Sequence, residues 1–363
     1  MYAGRLPWQV AVPLADRKDK RMYTRILVPL DGSPRAERSV PVAAMLARAT
    51  GGSVVLVQIL GVLGTIGAFG TIEPTNYNPE LLEEDRREAT AYLTGIAGRP
   101  VLAGISTETG VFTGSPATAI LDAITAYKAD AIIITSHGRA GMTRWALGSV
   151  AEYIVRHTKV PVIVLRARGN SPAEQPSDAQ PPARVLVPLD GSPLAEAVLK
   201  PAVELAKALN APRAGLLHLM LVVSPYETAE AHLDIEGATA TAREYLAAVA
   251  AQLQAGYEAV TVTWDVSVNV DIASGVMRDA EQGDGSHGDG ASAGCDVIAM
   301  ATHGRTGLKR WMVGSITERV LHATAQPMLI VRPGLVEAKQ QVQERVETTE
   351  RTSPEAPVWS ALF

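Results

Sequence analysis

The chain has 363 residues, more than one ordinary domain holds, so two domains are expected. Hydrophobic residues make up 47% and charged residues 20%, an ordinary globular balance, and only 5% are aromatic, which leaves the core to Val, Ile, Leu and Ala. A net charge of -5 argues against nonspecific nucleic-acid binding, no apolar run of about 18 residues would span a membrane, and the single cysteine, Cys295, rules out an intramolecular disulfide and, with no secretory signal, points to the cytoplasm.

Residues 1–22 are read as an N-terminal extension, expected to be disordered. "RILVPL" from Arg25 is almost wholly apolar, as in a strand buried on both faces. "SPRAERSVPVAAMLARAT" follows as a helix capped by Ser33, with Pro34 at its first position and a kink expected at Pro41. "SVVLVQIL" is a second strand. "GVLGTIGAFG" places Gly61, Gly64, Gly67 and Gly70 at a period of three, and reads as a mobile lid or as an ordinary long loop. Next come an amphipathic helix, "PELLEEDRREATAYLTGIA", a strand, "ISTETGVF", a helix, "SPATAILDAITAYK", and a buried strand, "ADAIIITS". After a glycine-rich loop, "GSVAEYIVRHT" is a helix and "VPVIVLRA" a last strand. Strands alternating with helices imply a parallel, doubly wound sheet.

The chain repeats itself. "RILVPLDGSPRAE" from Arg25 recurs as "RVLVPLDGSPLAE" from Arg184, and "TSHGRAGMTRWALGSVAE" from Thr135 recurs as "ATHGRTGLKRWMVGSITE" from Ala301. The offsets are 159 and 166 residues, so the second copy has gained 7 between the motifs, best placed in the polar stretch "GDGSHGDGASAG". Two homologous α/β domains result, 23–168 and 184–333, joined by a Pro- and Ser-containing linker, 169–183, and followed by a polar tail, 334–363, with an apolar end at Val358, Trp359, Leu362 and Phe363.

In open parallel sheets, ligands sit beyond the carboxyl ends of strands where connections diverge. "PLDGS", with Asp31 and Asp190, lies there, as do the end of the second strand and the glycine-rich loop. In that loop Gly138 and Gly141, or Gly304 and Gly307, permit turns whose amides can face one oxyanion. Gly148-Ser149 and Gly314-Ser315 then enter a helix whose first N–H groups favour phosphate, and Ser149 can cap that helix or offer its hydroxyl. Arg139 and Arg305 add charge. The plainer alternative is a tight crossover shaped by glycine, with Asp31 held in an Asx turn that caps the next helix. His137 and His303 lack a G-x-S-x-G partner for nucleophilic chemistry, and Trp145 and Trp311 read as packing anchors.

These motifs resemble the universal stress protein family in its tandem form, and the resemblance covers both repeats. It implies a five-stranded parallel sheet flanked by helices in each repeat, Rossmann-like and similar to adenine nucleotide alpha hydrolases. The family divides into an ATP-binding branch and a branch that binds no nucleotide. The binding signature, Gly-x-x-Gly, nine residues, then Gly-Ser/Thr, is kept from Gly138 to Gly148 and from Gly304 to Gly314, but its first glycine falls on Thr135 and Ala301. The resemblance implies ATP (or AMP or ADP) with Mg²⁺ or Mn²⁺. The implied contacts are Pro29, Asp31, Gly32, Ser33, Ile59, Gly114, Gly138, Arg139, Gly141, Gly148, Ser149 and Val150 in the first repeat. In the second they are Pro188, Asp190, Gly191, Ser192, Leu219, Gly304, Arg305, Gly307, Gly314, Ser315 and Ile316. "TGSPA", Thr113 to Ala117, resembles the family's Gly-x-Pro loop, whereas the second repeat has "NVDIA", where Asp271 would repel a phosphate unless a metal intervened. The first site is therefore expected to be the more competent.

The resemblance also implies pairing of the last strands across a two-fold axis, here between repeats of one chain, with further association into a homodimer. The role implied is that of a stress-response sensor or regulator, with ATP hydrolysis slow at most. The alternative is a non-binding stress protein acting through protein surfaces.

Overall fold

In the computed structural model, the described residues are 21–61, 65–66, 72–73, 79–136, 147–166, 182–230, 234–282, 294–302 and 313–333. The first repeat runs β1 (Arg25–Leu30), α1 (Pro34–Glu37), α2 (Ser39–Thr50), β2 (Ser53–Leu60), the two-residue strands β3 (Thr65–Ile66) and β4 (Ile72–Glu73), α3 (Pro79–Ala97), β5 (Ser106–Thr113), α4 (Pro116–Ala126), β6 (Ala131–Thr135), α5 (Ser149–His157) and β7 (Val162–Leu165). The second runs β8 (Arg184–Pro188), α6 (Pro193–Glu196), α7 (Leu199–Asn210), β9 (Gly215–Val223), α8 (Pro225–Glu230), α9 (Ile235–Gly256), β10 (Val260–Val268), α10 (Ile272–Gln282), β11 (Val297–Ala301), α11 (Ser315–Ala323) and β12 (Met328–Val331).

Ten strands form one sheet in the order β10-β9-β8-β11-β12-β7-β6-β1-β2-β5. Within each repeat the pairings of this sheet are parallel, and β3 and β4 form a separate antiparallel pair. Both faces of the sheet are covered, and the sequence says why. Ile26 and Val28 pack on one face and Leu27 on the other, and Ile133 and Ile132 divide in the same way. An apolar residue at every position lets a strand of period two feed both cores at once.

The expected kink at Pro41 is a full break one turn earlier, between α1 and α2 at Arg38. Proline at 41 cannot donate to the carbonyl of Glu37, and its ring collides with that carbonyl. Pro201 does the same to Ala197 in the second repeat, where α6 stops and α7 begins.

The two repeats meet where β7 pairs antiparallel with β12, Ile163 lying opposite Leu329. Matching arginines flank this seam. Arg166 reaches the carbonyl of Leu321 on α11, and Arg332 donates to the carbonyl of Arg156 at 2.9 Å. Arg156 in turn bridges Glu152, at 2.8 Å, and Glu318 of the second repeat, at 2.9 Å. Burial brings Arg166 down to about 10. Behind the seam α2 packs on α7. There the fully buried Tyr23 donates its hydroxyl to the carbonyl of Pro201 at 2.8 Å. The outermost strands are β5 and β10. Among the described residues no helix is long and apolar enough to cross a membrane.

The linker 167–181, the second-repeat insert 283–293, most of the glycine-period segment (62–64 and 67–71), and the chain ends, 1–20 and 334–363, lie outside the described residues.

Candidate functional site at the carboxyl ends of the strands

In the first repeat the chain passes from β1 to β2 and β5 on one side, then returns to β6 and β7 on the other. The connections diverge at the carboxyl ends of β1 and β6, the place where open α/β sheets bind ligands. The second repeat diverges likewise between β8 and β11.

The turn after β1 is built by its own residues. Gly32 has φ +79°, a left-handed conformation that glycine adopts without strain, and Gly191 has the same value. The carboxylate of Asp31 accepts the Ser33 N–H at 2.9 Å, and Ser33 Oγ accepts the Ala36 N–H at 3.2 Å. Asp190 and Ser192 repeat the pattern, with Ser192 Oγ also donating to Asp190 at 2.7 Å. The Asx turn and the helix cap anticipated as the plainer reading are thus both formed, and they aim the turn at the crevice. Pro29 and Pro188 are half-buried residues of the strands leading in.

The other wall is the start of α5. Gly148 is its N-cap residue (φ -63°, ψ 146°) and Ser149 its first helical residue, with no side-chain cap. Of the two roles open to Ser149, the cap is not formed, because the preceding glycine already holds the extended backbone that a cap requires. The Gly148 N–H donates to the Ser136 carbonyl at 2.6 Å, and the Gly314 N–H to that of Thr302 at 2.5 Å. These bonds close the base of each glycine-rich loop and engage the two amides internally. The donors left facing outward by helix geometry are the first-turn N–H groups, Ser149 to Ala151 and Ser315 to Thr317. The side chains of Val150 and Ile316 pack against the core, so each would meet a ligand through its backbone. His137, Gly138, Arg139, Gly141 and Trp145, with His303, Gly304, Arg305, Gly307 and Trp311, lie outside the described residues.

The end of β2 brings Ile59 to the rim, half-buried and one step past the Leu30–Gln58 pair. Leu219 does not match it. Leu219 is fully buried in mid-strand opposite Val187, too deep to reach a ligand. The register places Val222 at the position equivalent to Ile59. The cause is the turn before β9, Ala211–Ala214, which is longer than Gly51–Gly52 before β2 and slides the strand along. Nothing in "GLLHLMLVV", apolar at nearly every position, marks that slip.

Gly114 has φ +126°, donates its N–H to the Leu60 carbonyl at 3.0 Å, and has open space where a side chain would stand. It is the single residue between β5 and the α4 cap, Ser115. In the second repeat two residues, Asn269 and Val270, fill that gap before Asp271. Asp271 is bidentate to Arg319 of α11, both contacts at 2.6 Å, and accepts Ser274 Oγ–H at 2.5 Å. The hydrogen bonds from Arg319, then Ser274, draw its carboxyl down to about 2. The carboxylate expected to repel a phosphate unless a metal intervened is thus paired with an arginine of the neighbouring helix.

Among the described residues no cluster of three or more metal-ligating side chains forms.

Fold and site together define a tandem, doubly wound α/β protein with an anion-compatible crevice at each switch point. The model of the universal stress protein family matches residues 22–166 and 182–332, and the chain belongs to that family. A universal stress protein of Methanocaldococcus jannaschii is 29% identical over 152 residues, which is 41% of this chain and 86% of that one. One of Mycolicibacterium smegmatis is 24% identical over 314 residues, 85% of this chain and 97% of its own. The crystal structure of a universal stress protein from Archaeoglobus fulgidus superposes with a TM-score of 0.60 over 86% of this chain and 99% of that chain, at 18% identity, a likeness of fold alone.

Proposed function

We propose that the protein binds ATP in its first repeat and serves as a cytoplasmic stress-response sensor or regulator, with domains at 23–168 and 184–333. The observation that carries this reading is the start of α5 beside the Asp31 turn at the switch point. Unpaired first-turn amides and the positive helix end favour phosphate there. The open space at Gly114 supports a ligand lying close to the backbone. Mg²⁺ or Mn²⁺ would arrive with the phosphates and offset their charge. The β7–β12 pairing would stand in for the two-fold interface of single-repeat relatives, with homodimers formed through other surfaces.

A second reading is a protein that binds no nucleotide and acts through its surfaces. The internal hydrogen bonds of Gly148 and Gly314 favour it, as do Thr135 and Ala301 where the binding signature has glycine. Calorimetric titration of the full-length protein with Mg-ATP, ADP and AMP, with mass spectrometry of small molecules released on denaturation, separates the two. Binding supports the first reading. Neither binding nor a co-purifying nucleotide leaves only the second.

A further inference from the structure

We infer that the Asp271–Arg319 pair is a built-in latch that holds the second crevice shut against phosphate, so that the protein binds one nucleotide per chain. The inference rests on the nucleotide reading and adds to it which site works and what disables the other. Asp271 stands before the first residue of α10, where the chain leaves the carboxyl end of β10, and from there it grips α11 five residues into the helix. The start of α11 is the anion-favouring end of the second crevice. An incoming phosphate therefore meets a carboxylate at the rim, and the nearby guanidinium already has both prongs engaged. Bidentate arginine–carboxylate pairs are the strongest competitors for such a group. Ser274 Oγ adds a third contact that fixes the carboxylate.

The first repeat has no such latch. Its helix-capping position is Ser115, and the residue five into α5 is Tyr153, which stacks along its own helix on His157 with ring centroids 3.9 Å apart. Two substitutions, serine to aspartate on one helix and tyrosine to arginine on the other, separate the repeats. They form a complementary pair, and each alone would leave a charge unmatched.

The experiment is calorimetric titration of full-length protein with Mg-ATP, comparing wild type, Asp271→Ser, and Asp271→Ser with Gly314→Asp. Serine restores the residue of the first repeat and remains a good helix cap, so the fold is retained, which a thermal melt verifies. Wild type is expected to bind one ATP. Asp271→Ser is expected to bind two, because freeing Arg319 and removing a like charge tightens the second site by roughly ten- to hundredfold. Adding Gly314→Asp should return the count to one and so assign the gained site. Two sites in wild type, or a count of one in a folded Asp271→Ser, overturns the latch while leaving nucleotide binding intact. A count of zero in both proteins overturns the nucleotide reading itself.

Discussion

Replacing Gly148 by aspartate separates folding from ligand binding at the first site. Gly148 occupies the α5 N-cap with φ -63° and ψ 146°, a conformation open to any residue. Aspartate is among the preferred caps there, since its carboxylate accepts a first-turn N–H and complements the helix dipole. The fold should thus gain a few tenths of a kcal/mol or stay level, glycine being only slightly the poorer cap. Binding should collapse. The new carboxylate takes the same amides that a phosphate needs and stands about 4 Å from it. At an effective dielectric of about 20, two unit charges at that distance repel by about 4 kcal/mol, close to a thousandfold in affinity. Gly148→Ser, a neutral cap, should keep most of the binding. The assay pairs thermal melting by circular dichroism with Mg-ATP titration. A folded Gly148→Asp protein that binds within tenfold of wild type would show that the phosphate does not sit on α5.

Tyr23 tests the seam between repeats: Tyr23→Phe loses one hydrogen bond and should cost about 1 kcal/mol, whereas Tyr23→Ala also empties a fully buried site and should cost about 3–5 kcal/mol in urea unfolding. Equal losses would mean that the hydroxyl, not the ring, carries the contact. Burial pushes the Cys295 thiol up to about 12, so the native protein should resist iodoacetamide at pH 8 and react promptly once unfolded. Rapid native labelling would contradict its placement. Asp271 should titrate near 2 by NMR and return toward its ordinary value of 3.8 in Arg319→Ala. Because the folded carboxyl is depressed, the pair's contribution is complete above about pH 4 and fades as pH falls through 2. An Asp271 titration unmoved by Arg319→Ala would mean the pair does not form in solution.

The duplication, the alternation of strands and helices, the Ser33 cap and the switch-point turn were legible because each is local. Caps and Asx turns are made by residues two or three apart, and an apolar run of strand length carries its own burial. Pro41 was legible as a fault in its helix, though the break falls one turn upstream, because proline damages the carbonyl four residues before it rather than its own position.

Register and partnership were not local. Leu219 looked like a rim residue, and only the strand ladder shows it buried in mid-sheet with Val222 at the rim, since a uniformly apolar strand can slide without any change in pattern. Asp271 stood in the sequence only as a charge that would repel a phosphate, and only packing brings Arg319, 48 residues away, against it. The sequence by itself determined that there are two repeats, what class each folds into, and that the turn after each first strand stands at the switch point. Tertiary structure decided which residues stand at its rim and that the repeats differ in charge pairing there, because depth along a strand and the partner of a charge depend on what the rest of the chain places beside them.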